Sequence, residues 1–145
     1  MTGLRAAVER LRPQLAIFRD EAGKELFDLP EAPRPDPETP APPRFLPVYD
    51  NVLVSHADQR RVISDRDRKR IASRNGQVPS TVLVDGDVCG TWTIVRRGGQ
   101  ATLQITLFGP IAAPDRDALA AEGARLLTFT AADAASQEIA FVDTN

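Results

Sequence analysis

Asp50, Asn51, His56 and Asp58 stand together in the run Tyr49-Asp-Asn-Val-Leu-Val-Ser-His-Ala-Asp58, and Arg60 and Arg61 follow at once. Two carboxylates, a carboxamide and the chain's one imidazole are the ingredients of an acid/base or metal site. If the stretch is extended, His56 and Asp58 point the same way. A zinc ion, however, needs three or four ligands drawn from Cys, His or carboxylate. His56 is the one histidine and Cys89 the one cysteine, and Cys89 falls in a predicted strand. No metal, no cofactor and no catalytic residue is therefore assigned. In one reading Asp50 and Asn51 cap a turn or helix start while His56 bonds to buried backbone. In another the cluster faces DNA. A hydrolase built on Asp50, His56 and Asp58 would require metal-dependent activity that His56→Ala abolishes.

The second chemical feature is charge. Residues 60–74 hold seven of the eighteen Lys and Arg: Arg60, Arg61, Arg66, Arg68, Lys69, Arg70 and Arg74. Arg66, Arg70 and Arg74 are spaced by four, so on a helix they form one stripe. Such a stripe contacts successive phosphates and releases counterions, giving salt-dependent affinity without sequence preference. Arg60, Arg61, Arg66, Lys69, Arg70 and Arg74 are thus candidate DNA-binding residues, with double-stranded DNA as the candidate partner. A solvated helix face, partly neutralised by Asp65 and Asp67, accounts for the same charges. Trp92, four residues before Arg96, either stacks on a base or belongs to the core with its N–H on a nearby acceptor. Arg97-Gly-Gly99 either enters a groove or needs only its turn geometry. Cys89 reads as a small buried apolar residue.

These groups must be positioned by regular elements. Leu4, Ala7, Val8 and Leu11 recur at helical spacing, with Thr2 as N-cap and Pro13 closing the helix. Residues 15–29 read as a hairpin turning at Gly23. Residues 30–47 contain eight of the twelve prolines, which predicts an extended linker whose end, Phe45 and Leu46, docks across the domain. Ser64 should cap a helix through Arg74 that Asn75-Gly76 ends. Strands are predicted at 81–84, 87–96 and 101–108, turning at Asp85-Gly86 and Arg97–Gln100, with Leu103, Ile105 and Leu107 facing inward. Pro114 opens a long helix whose inward stripe is Leu119, Gly123, Leu126, Leu127 and Thr130. Ile139 and Phe141 alternate in a last short strand. The expected fold is α+β: an antiparallel sheet of five or six strands with a long C-terminal packing helix, a short N-terminal helix and a short basic helix. Its expected divisions are 1–29 (helix and hairpin), 30–47 (proline-rich linker) and 48–145 (β-rich domain).

At 145 residues the chain is long enough for a hydrophobic core. One cysteine excludes an internal disulfide and fits a reducing compartment. Met1 opens no secretory signal, and no run reaches the roughly 18 apolar residues of a membrane span, so a cytoplasmic chain with no membrane partner is expected. The net charge of −2 argues against a wholly basic nucleic-acid coat protein, though not against a local basic face.

Three passages resemble the C-terminal region of the bacterial winged-helix DNA-binding-domain-containing family, which includes DNA interstrand-crosslink-repair glycosylases. They are Glu25–Pro33 with its continuation into Arg44-Phe-Leu-Pro47; Tyr49–Asp58 with Arg61-Val62; and Val82-Leu-Val-Asp-Gly86 followed by Gly90-Thr-Trp92. The resemblance implies tandem winged-helix modules ahead of this region and a β-rich C-terminal domain. It also implies excision of alkylated or crosslinked purines through a Gln-apolar-Gln or Gln-apolar-Asp motif lying upstream. No such triplet occurs here, since Gln100 and Gln104 are four apart in a strand. The expectation is a fragment or stand-alone relic that supports the winged helices and touches DNA backbone. The rival is an interaction or scaffold module without DNA affinity, docking on the missing modules or a partner chain through Leu4, Val8 and Leu11.

Overall fold

The structure, a computed structural model, describes residues 2–72 and 75–142. Arg74 and the side chain of Thr2 fall outside the description, so the proposed N-cap and the last member of the arginine stripe are not placed. The chain divides into two compact units, 1–39 and 40–145.

The first unit opens with α1 (Thr2–Leu11), continued by a 3-10 turn, Arg12–Gln14, into which Pro13 fits without a missing hydrogen bond. Strands β1 (Ala16–Arg19) and β2 (Glu25–Asp28) then pair antiparallel, with Gly23 at φ 77° in the turn, as the sequence predicts. Asp20 fixes that turn by accepting from the backbone N–H groups of Ala22 and Lys24. The start of the proline-rich stretch folds back on the hairpin. Arg34 donates to the carbonyls of Leu29 and Pro30, and its guanidinium lies 4.9 Å from the centre of the Phe18 ring.

The second unit is built on a five-stranded sheet in the order β3-β4-β5-β6-β7. Its strands are β3 (Arg44–Leu46), β4 (Thr81–Val84), β5 (Asp87–Arg97), β6 (Gln100–Leu107) and β7 (Ser136–Val142). Asp85 and Gly86, at φ 50° and 82°, form the two-residue turn expected between β4 and β5. Phe45 and Leu46 do dock, as part of edge strand β3 against β4. The all-antiparallel expectation is overturned at β7, which runs parallel to β6 from Gln100↔Ser136 to Thr106↔Val142. The alternation of Ile139 and Phe141 marks a half-buried strand but carries no direction. Direction comes from the long helix α4 (Ala113–Thr130), which returns the chain so that β7 starts at the same end as β6.

α4 covers one face of this sheet. Leu119 and Leu127 pack with Val82, Leu103 and Ile105, all essentially inaccessible to solvent. Gly123 permits the close approach: a Cβ there would lie 2.8 Å from Leu103 Cδ2 and 3.3 Å from Ile139 Cδ1. Thr130, expected on the inward stripe, is exposed, and its hydroxyl donates to the Leu126 carbonyl. Burial pushes the Cys89 thiol up to about 11, and the thiol donates weakly to the Val82 carbonyl at 3.6 Å.

A second, smaller core forms from Leu53, Ile63 and Val88, with Leu83 and Phe108 beside them. It exists because β5 carries one extra residue. Val82 faces Gly90 but Leu83 faces Val88, leaving Cys89 as a bulge. Gly90 sits so close to β6 that a Cβ would come within 2.5 Å of the Thr106 carbonyl oxygen.

Two substitutions on neighbouring strands should therefore move stability in opposite directions. Gly90→Ala forces backbone apart and should cost about 1–3 kcal/mol. The Thr81 hydroxyl is buried with no hydrogen-bond partner among the described residues; Thr81→Val should raise stability by about 1 kcal/mol. Denaturant unfolding of both variants checks the pair, and a stabilised Gly90→Ala would refute the packing described.

Candidate nucleic-acid interface

The polar cluster and the basic segment belong to one excursion of the chain, residues 47–80, between β3 and β4. Asp50 accepts from the Val52 N–H at 2.9 Å and caps α2 (Asn51–Val54), a single turn that sequence patterning did not predict as a helix. The capping reading of Asp50 is thereby met. Asn51 is exposed at the first position of α2. Leu53 anchors the turn in the small core, and Gln59 donates its side-chain amide to the Leu53 carbonyl. Ile63 anchors the next turn, and the Val88 N–H donates to the Val62 carbonyl at 2.7 Å. Two buried side chains and one backbone bond thus fix the loop to the sheet.

His56 departs from expectation. It is exposed and, among the described residues, bonds to no buried backbone; its Nε2 lies 3.3 Å from Nη2 of Arg61. With Nε2 facing a permanent N–H donor, the imidazole accepts there. Residues 56–59 form no strand, so the common direction proposed for His56 and Asp58 does not arise. Asp58 instead closes a local turn, accepting from the backbone N–H of Arg60 at 3.1 Å and from its guanidinium at 3.0 and 2.7 Å. That pairing raises the Arg60 pKa above its ordinary value. Among the described residues no three His, Cys, Asp or Glu side chains converge as metal ligands would.

Ser64 caps α3 (Asp65–Ile71) through its hydroxyl, which accepts from the Asp67 N–H at 3.1 Å and donates to the Asp67 carboxylate at 2.8 Å. The helix stops at Ile71, three residues short of the predicted end, so the stripe on it consists of Arg66 and Arg70, with Lys69 beside them. Arg70 is committed: it donates to the Phe108 carbonyl, stacks 5.5 Å from the Phe108 ring centre and lies 3.6 Å from Asp67. Arg66, Arg68 and Lys69 are exposed, and their side chains have no ion pair or hydrogen bond among the described residues. From Asp58 to Arg70 six cations face three carboxylates, so the excursion carries a local positive excess on a chain of opposite net sign.

The other arginines singled out by sequence lie at the far end of the sheet. Arg96 grips Asp133 with bonds of 2.9 and 2.8 Å and donates to the Thr130 carbonyl, closing the end of α4. The pairing holds the Asp133 carboxyl below its usual range. Arg97 is exposed beside Gly98 and Gly99, whose φ values of 56° and 83° the turn requires. Trp92 is a core residue: its indole N–H donates to the Leu46 carbonyl at 2.9 Å, and its ring meets Phe45 edge-on at 5.8 Å.

Residues 1–129 match the model of the DNA glycosylase AlkZ-like family, and the chain belongs to that family. The DNA glycosylase AlkZ of Streptomyces sahachiroi superposes with a TM-score of 0.72 over 96% of this chain and 36% of its own, at 23% identity, which establishes a shared fold. Probable biotin-dependent acyl-coenzyme A carboxylase beta3 subunits of Mycobacterium tuberculosis and Mycobacterium bovis are 36% identical over 101 residues, or 67% of this chain. The chain spans only 18% of the length of those curated relatives.

The sorting of cations into committed and uncommitted is directly measurable. Arg70→Ala should destabilise the fold by about 1 kcal/mol or more through loss of the Phe108 contacts. Arg66→Ala and Lys69→Ala should stay within about 0.5 kcal/mol. Equal effects in thermal unfolding would show that Arg70 is as free as its neighbours.

Proposed function

We propose that this chain is the C-terminal β-rich domain of a winged-helix, DNA-glycosylase-like protein of the cytoplasm, and that it holds duplex DNA by its backbone without reading sequence. The observation that carries the reading is the exposed basic surface of residues 60–70, fastened to the sheet by Leu53 and Ile63. Arg60, Arg61, Arg66 and Lys69 are its contact residues, Arg68 adds to the local field, and Arg70 is held against Phe108. Arg74 extends the set by sequence. Guanidinium and ammonium groups at such spacing neutralise phosphates, and phosphate contacts carry no sequence information. Family membership supports DNA as the polyanion.

The same reading assigns no glycosidic bond cleavage to this chain by itself, because the Gln-apolar-Gln/Asp triplet is not in its sequence. Excision would belong to modules outside it, as would any crosslink preference. The first unit suits an attachment to such modules: a helix followed by a two-stranded hairpin is the order in which a winged-helix module ends. A second reading, a scaffold with no DNA affinity, draws support from that unit too. None of its described side chains is buried, and Leu4, Leu11, Phe18, Leu26 and Leu29 are substantially exposed. Leu4, Val8 and Leu11 would then be docking contacts for the missing modules or a partner chain.

Fluorescence anisotropy of a labelled duplex decides between them. Binding at roughly 10⁻⁶–10⁻⁴ M that weakens with salt is expected, and each of Arg61→Gln, Arg66→Gln and Lys69→Gln should lower the salt slope by about one. No binding at low salt would leave the scaffold reading.

A further inference from the structure

The Arg61 guanidinium meets the ring of His56, Nη2 to Nε2 at 3.3 Å, while its neighbour Arg60 holds the Asp58 carboxylate at 2.7 Å. His56 and Arg61 are both exposed, yet both stand on anchored backbone. His56 follows α2, whose Leu53 is buried and whose closing Ser55 N–H donates to the Asn51 carbonyl. Arg61 precedes Val62, whose carbonyl takes the Val88 N–H, and Ile63, which is 1% exposed. Two side chains from separate turns are thus brought together before any ligand arrives, which spares the cost of ordering them.

This contact has a chemical requirement. A guanidinium only donates, so the imidazole nitrogen facing it is an unprotonated acceptor, and the ring proton sits on Nδ1. Adding a proton to Nε2 sets two N–H donors and two positive charges against each other. An anion with two acceptor oxygens reverses that preference. One oxygen takes the Arg61 N–H, the other takes an N–H on Nε2, and the negative charge between them holds the imidazolium. A phosphodiester offers two such oxygens and one charge. The charged groups nearby in the chain leave this balance in place: Asp50 is turned to the Val52 N–H, Asp58 and Arg60 offset each other, and Asp65 acts on Arg60.

We propose that His56 and Arg61 form a phosphate clamp that closes with uptake of one proton, so that this surface holds nucleic-acid backbone more tightly as pH falls. The proposal rests on the DNA-backbone reading above and adds to it a site and a regulator. The free pair has no proton on Nε2 and the bound pair has one, and the form that carries more protons gains as pH falls. Imidazole exchanges its proton between roughly pH 5 and 8, and His56 is the chain's one histidine. The Cys89 thiol, pushed up to about 11, stays out of that range. Ordinary carboxylates titrate around pH 4. A response of binding between about pH 5.5 and 7 therefore belongs to His56.

The test is anisotropy of a labelled duplex without terminal phosphates, at one salt concentration, at about pH 7 and about pH 5.5. For the unsubstituted chain Kd should fall about fivefold between the two. His56→Gln keeps a polar side chain that does not titrate, and its response should flatten to less than about twofold. Arg61→Gln removes the other jaw and should lose most of the response as well. Thermal unfolding at both pH values verifies that all three chains are folded. In proton NMR the His56 ring signal should move toward its protonated position when duplex is added at about pH 7, and far less with inorganic phosphate at equal ionic strength. An equal shift with inorganic phosphate would overturn the nucleic-acid assignment of the clamp. If duplex binding is intact and either variant keeps the full pH response, the clamp is wrong and the backbone reading stands. If the unsubstituted chain binds no duplex at either pH, both fall.

Discussion

The residue on which the candidate surface depends is the extra one in β5. With Cys89 bulged, Val82 and Val88 point to opposite faces of the sheet although the strands stay paired on either side of the irregularity. Without the bulge, Val88 would share a face with Gly90 and the α4 core. With it, Val88 offers a second apolar spot, and Leu53 and Ile63 close over it. A loop of more than thirty residues that would otherwise be tethered only at its ends is fixed at its middle. Arg60 and Arg61 lie between those anchors and Arg66 to Arg70 directly after them, so their backbone positions inherit the rigidity of the sheet.

Aromatic residues decide which arginines remain available. Four of the six phenylalanines carry a guanidinium over the ring: Arg12 over Phe27, Arg34 over Phe18, Arg70 over Phe108 and Arg116 over Phe141, the last at 3.8 Å. Each such contact is worth about 0.5–1 kcal/mol at the surface and takes one cation out of circulation. Between Phe45 and Phe108 there is no phenylalanine at all. Within that interval Trp92 is spent on Phe45 and Leu46, and the one other aromatic, Tyr49, stands open to solvent. Of the cations at residues 60–69 none lies over an aromatic ring among the described residues; Arg60 pairs with Asp58 instead, and Arg66, Arg68 and Lys69 stand exposed.

Much of this was legible in the residues. The hairpin at Gly23, the turn at Asp85-Gly86, the inward face of β6 and the close approach at Gly123 all follow from local chemistry, a glycine or an alternation, that tertiary structure did not override. The Ser64 cap was legible for the same reason. The direction of β7 was not, because a period of two is identical in parallel and antiparallel strands. The early end of α3 was not, because helix propensity in Arg68-Lys-Arg70 says nothing about the pull of Ile71 toward the small core. Nor was Arg70's commitment to Phe108, a contact across 38 positions that spacing along a helix cannot reveal. The His56 cluster looked like a constellation because its members are close in sequence. In space Asp50 serves its own turn, Asp58 pairs with Arg60, and His56 meets Arg61.

The overall negative charge and the local positive surface act over different distances. At physiological ionic strength the screening length is about 8 Å, shorter than the extent of the basic segment, so a phosphate there feels chiefly Arg60 to Lys69. As salt is lowered toward 0.01 M the screening length grows to about 30 Å and the chain's excess of carboxylates enters the field. Counterion release strengthens binding over the same change, but with opposition from like charge that a uniformly basic protein would not meet. A chain with this charge pattern would gain less from low salt than its exposed cations alone imply, because the carboxylates that oppose it come into range as screening weakens.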